Sequence, residues 1–76
     1  MDATYTDHHL TSREQDVLAI MATGATNRQI ALQLTISKET VKTHVSHILQ
    51  KLHASCRTEA VSIGYSRGLL TPMERN

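Results

Sequence analysis

Apolar residues recur at helical spacing in four segments of the chain, and each segment carries its own start or stop signal. Thr11-Ser12-Arg13-Glu14 reads as a capping box, in which the Thr11 hydroxyl accepts from the Glu14 amide and the Glu14 carboxylate reaches back. Val17, Leu18, Ile20 and Met21 follow on one stripe, and Gly24 offers a left-handed stop, so a helix is predicted over 12–23. Thr26-Asn27-Arg28-Gln29 repeats the box ahead of Ile30, Ala31 and Leu34, predicting a short helix over 27–34. Only Thr35 and Ile36 separate it from the next cap, Ser37, so the second and third helices must meet at a sharp angle. The third helix, 38–52, places Val41, Val45, Ile48, Leu49 and Leu52 on one clean face. Its opposite face presents Glu39, Thr40, Thr43, His44, Ser46, His47, Gln50 and Lys51, with Lys42 near the margin of the apolar side. A fourth helix over 57–67 carries Ala60, Ile63 and Gly64 on one side and Val61 and Tyr65, four residues apart, on another. Gly68 ends it, and Leu69 and Leu70 are expected to return to the core. No strand-like alternation is present, so the fold class is all-α: a compact four-helix domain in which helices two and three form a helix-turn-helix.

Length and composition narrow the picture without changing it. Seventy-six residues supply one small core. The domain is expected over 10–70, between a flexible N-terminal segment, 1–9, and a flexible C-terminal tail, 71–76, that opens on Thr71-Pro72. Cys56 is the single cysteine, which excludes an internal disulfide and a Cys-rich zinc framework and fits a reducing, cytoplasmic setting. No apolar run approaches the roughly 20 residues needed to span a bilayer, and the acidic, polar stretch Met1–His9 is the wrong chemistry for a signal peptide. Net charge is only +1, yet it is unevenly laid out. Residues 1–20 set Arg13 against Asp2, Asp7, Glu14 and Asp16, whereas residues 27–58 set Arg28, Lys38, Lys42, Lys51 and Arg57 against Glu39. An acidic front therefore precedes a basic middle, to which His44, His47 and His53 also belong.

A short helix turned sharply into a longer one is the arrangement that lays the second helix in the major groove of DNA while the first crosses the backbone. Ala31 is small where the two helices approach, Val41 is apolar where the second anchors on the first, and the outward face of helix three offers Lys, Thr, Ser and His to base edges and phosphates. The segments "LTSRE", "TNRQIA", "ISKETVKTHVSHILQKL" and "RTEAV", in this order, resemble the LuxR-type (GerE-like) helix-turn-helix domain of bacterial transcriptional regulators, and the likeness runs from Leu10 to Leu70. The resemblance implies that Lys42, Thr43 and Ser46 reach base edges, and His47 beside them is assigned to the same group. Asn27, Arg28, Lys38, Thr40, His44 and Lys51 are assigned to the phosphate backbone. It further implies a homodimer formed through the fourth helix on two half-sites, with Val61 and Tyr65 at the interface. The partners expected are thus duplex DNA, a second copy of the chain and, further off, RNA polymerase. About four ionic contacts per protomer would give the dimer a log–log salt slope near −7. Thr35 and His53 depart from the family at positions where glycine is common, and Cys56 departs where a polar cap is usual, leaving Ser55 to substitute for it beside Glu59.

Other readings of the same residues compete. His44 and His47, three apart on a helix, have a metal-ligand spacing to which Cys56 could add a third ligand, but no carboxylate stands at a matching position and the backbone-facing reading accounts for both. Catalysis by Cys56 lacks an oxyanion hole and a substrate pocket, so no enzyme and no cofactor are expected. A promoter-binding domain of a sigma factor shares the helix-turn-helix, though the fourth helix "RTEAV" to "RGLL" argues against it. A protein-interaction module with the same fold stays open because the net charge is nearly neutral.

Overall fold

The computed structural model describes residues 9–71. The flexible ends expected at 1–9 and 71–76 lie outside this range, except for His9 and Thr71, which are exposed and not helical. Four helices follow in chain order: α1 Ser12–Met21, α2 Asn27–Leu34, α3 Lys38–Leu52 and α4 Arg57–Ser66. Helices α2 and α3 have the expected bounds. The first and fourth end two and one residues earlier than expected, each for a local reason. After Met21 the chain tightens: the amide and hydroxyl of Thr23 both donate to the Ile20 carbonyl, at 3.0 and 2.6 Å, and Gly24 turns left-handed at φ +88°. At the end of α4, Arg67 already leaves helical geometry at φ −99°, ψ 7°, one residue before the turn at Gly68.

The starts follow the caps. Thr11 with Glu14 and Thr26 with Gln29 both form complete capping boxes, and Ser37 accepts from the Thr40 amide. Helix α4 has no side-chain cap at Cys56; the amide and hydroxyl of Ser55 instead donate to the Glu59 carboxylate, each at 2.7 Å. The two corners of the fold are left-handed at residues other than glycine, Thr35 at φ 58° and His53 at φ 55°. At each the backbone turns the chain within one residue, which lets the amide of Ile36 reach back to Ala31 and that of Ala54 to Leu49.

Helix α3 is the centre of the packing and lies against the other three. Its stripe of Val41, Val45, Ile48 and Leu52 is buried with Val17, Leu18 and Met21 of α1, Ile30 and Ala31 of α2, and Ala60 of α4. Leu70 comes back to close this cluster, and Leu69 packs at its edge. Val61 corrects the reading of it as lying off the core: it is half-buried against the same cluster, so Tyr65 alone of that pair is openly exposed.

Candidate nucleic-acid interface

Because α3 buries one stripe completely, its other side is held outward as a rigid ridge. Lys38, Thr40, Lys42, Thr43, Ser46 and His47 are all exposed on it; His44 and Lys51 are half-buried along its margins. Several of the hydroxyls are already oriented. Thr40 and Ser37 share a hydrogen bond at 2.9 Å, and the Thr43 hydroxyl donates to the Glu39 carbonyl at 3.1 Å, which leaves the Thr43 oxygen able to accept. Arg28 is exposed at the start of α2, so a cation stands on both members of the helix-turn-helix. Of the expected site residues, Lys38, Thr40, Lys42, Thr43, Ser46 and His47 of α3 and Arg28 of α2 are thus exposed, while Asn27 is half-buried at the start of α2.

One of the expected residues, Lys51, is drawn aside by a group that was read only as a cap, and His47 stands beside it. Glu14 of α1 has a side chain just 4% exposed. Its Oε1 accepts from the Thr11 amide at 2.9 Å and from the Lys51 ammonium at 2.7 Å, and its Oε2 lies 3.7 Å from Nδ1 of His47. The Lys51 charge is thus committed to the α1–α3 junction, where the expectation had it facing a phosphate. His47 keeps an exposed ring, with Nδ1 on the Glu14 side. Burial acts to raise the Glu14 pKa, but the Lys51 hydrogen bond, the Thr11 amide and the positive charges of Lys51 and His47 outweigh it and hold the carboxyl below its ordinary range. A sequence signal for this was available: Glu14 stands three, four and seven residues before Val17, Leu18 and Met21, hence on the buried face of α1.

Asn27 is also engaged. Its side-chain oxygen accepts from Nη1 of Arg57 at 2.6 Å, while Nη2 of Arg57 donates to the Ala25 carbonyl at 2.8 Å. No local pattern announces this bridge, because the partners are 30 residues apart. His44, His47 and Cys56 do not form a cluster that could hold a metal ion among the described residues. Cys56 is exposed.

Comparison with known proteins agrees with the geometry. The family model for bacterial regulatory proteins of the luxR family, GerE, matches residues 8–63. The uncharacterized transcriptional regulatory protein YvfU of Bacillus subtilis is 45% identical over 62 residues, covering 82% of this chain and 31% of that protein. The transcriptional regulatory protein DegU of Brevibacillus brevis is 54% identical over 54 residues, covering 71% and 23% respectively. The chain thus spans about a quarter to a third of the length of these curated relatives. Among solved structures, the transcription factor GerE superposes with a TM-score of 0.77 at 34% identity, over 82% of this chain and 92% of that one.

Proposed function

The chain belongs to the luxR family of bacterial regulatory proteins and is a DNA-binding regulator domain of that type, and on that premise we propose how it reads DNA. Helix α3 enters the major groove, with Lys42, Thr43, Ser46 and His47 toward base edges. Arg28, Lys38, Thr40 and His44 lie along the phosphates, with Asn27 beside them at the start of α2. Two copies bind successive half-sites, related through α4, where Tyr65 is exposed and Val61 offers its outer edge. The cytoplasm is the setting this requires; no described helix is long and apolar enough to cross a membrane.

The observation that carries this reading is the exposed side of α3, whose cations and hydroxyls project from a helix fixed on its far side by a buried stripe. A rigid helix face is what base readout needs, since discrimination depends on hydrogen bonds made at defined positions. The test is selection from a randomised duplex pool at moderate salt, followed by sequencing of the bound fraction. Enrichment of a two-fold symmetric motif is expected. A folded chain that binds no duplex even at low salt would overturn the reading in favour of a protein-interaction module.

A further inference from the structure

Arg57, the first residue of α4, is placed where it can govern how α2 meets DNA. A guanidinium carries only donors, whereas an asparagine amide has one accepting and one donating end. The 2.6 Å contact from Arg57 Nη1 therefore admits only the oxygen of Asn27 and turns the two N–H bonds of Nδ2 the other way. The second arm of the guanidinium is fixed on the Ala25 backbone at 2.8 Å, so the fork cannot swing to follow the amide. Both side chains are half-buried, which strengthens these bonds relative to open water.

The neighbouring polar side chains at this end of α2 are paired through their acceptors, within α2 itself. The Thr26 hydroxyl accepts from the Gln29 amide at 3.2 Å, and the Gln29 side-chain oxygen accepts from the Thr26 amide at 2.8 Å. The donor ends of Thr26, Gln29 and Arg28 stay available as well; Asn27 differs from them in that a residue of another helix, Arg57, holds its donor end in a set direction. We propose that Arg57 is a positioning residue for DNA docking: it locks the Asn27 amide so that Nδ2 donates to a backbone phosphate. The inference rests on the DNA-binding reading above. With Arg57 removed, the amide rotates freely, and docking must then fix the orientation that Arg57 sets in advance.

The test is a double-mutant cycle on a mixed-sequence DNA duplex, with circular dichroism used to verify folding of every variant. Arg57→Met is expected to weaken binding about tenfold in the wild-type chain and to cause no further loss in an Asn27→Ala chain. The same loss in both backgrounds, or no loss in the wild-type chain, would overturn the proposal. Asn27→Asp provides an arm that does not depend on Arg57→Met folding. It keeps an acceptor for Arg57, so its melting temperature should match or exceed that of the wild type, but it replaces the donor with a negative oxygen. Binding at least tenfold weaker is expected of it; wild-type affinity would overturn the proposal. A folded wild-type chain that binds no duplex fails earlier, and takes down the parent reading along with this one.

Discussion

At Glu14 a nearly buried carboxylate closes the N-terminal cap of α1 and, through Lys51 and His47, ties α1 to α3. Its pKa is depressed in the folded chain, so its contribution to stability is present in full above the unfolded value and is lost as pH falls through the folded one. Glutamine in its place keeps an acceptor for Thr11 and Lys51 but loses the charge. Glu14→Gln should therefore cost about 1 kcal/mol near neutral pH, a figure held down because Lys51 is partly solvated. Urea melts should show wild type and variant converging below the carboxylate range; a gap that stays constant with pH would rule out a charge-based role. Strain is the other residue-scale feature. Thr35 and His53 occupy the left-handed region, where a β-carbon costs roughly 1 kcal/mol, partly offset because glycine loosens the unfolded chain. Thr35→Gly and His53→Gly should each raise the melting temperature by a few degrees.

Helix starts were legible because caps are local: Thr11, Thr26 and Ser37 each act within three residues of themselves. The ends of α1 and α4 were less so, since Thr23 closes on the Ile20 carbonyl before Gly24 is reached and Arg67 leaves helical geometry before Gly68. The exposed face of α3 was legible as well, because burial of one stripe of the helix fixes what the other side shows. Arg57's bridge to Asn27 was not, for it depends on how α4 docks against α2. Docking of α4 is also what makes Gly64 necessary. A β-carbon there would lie 2.9 Å from Cδ1 and 3.1 Å from Cγ of Leu70, and 3.2 Å from Cδ2 of Leu18. Alanine in a helix interior normally gains up to about 1 kcal/mol over glycine, but overpacking costs typically 1–3 kcal/mol, and Leu18 is fully buried with little room to yield. Gly64→Ala should therefore destabilise the domain, by about 1 kcal/mol on balance; thermal melting checks the sign. Cys56→Ser works in the opposite direction, since α4 has no side-chain cap at this position. A gain of up to about 1 kcal/mol is expected, the lower end applying if the bonds from Ser55 to Glu59 already hold the first turn.

For the molecule as a whole, a net charge of +1 is misleading as a guide to DNA affinity, because the structure sorts its charges by position. The acidic front is not uniformly opposed to DNA: Glu14 faces inward and neutralises Lys51, while Arg13 and Asp16 lie 3.7 Å apart on the outside of α1. In the proposed docking Arg28 and Lys38 remain as the cations for phosphates on the helix-turn-helix, and Lys42, entering the groove, displaces counterions as well. Six such charges in a dimer would give a log–log salt slope of about −5, in place of the −7 expected when Lys51 is counted among them. The two counts differ in what they predict for Lys51→Met, with Lys42→Met as the reference. Lys51→Met should lower stability and leave the slope near its wild-type value, whereas Lys42→Met should flatten it by about 2, one charge being lost from each protomer. Binding isotherms over a salt series decide between them. A Lys51→Met slope flattened as much as that of Lys42→Met would mean that the ammonium leaves Glu14 for a phosphate on docking, and that the α1–α3 junction changes when DNA binds.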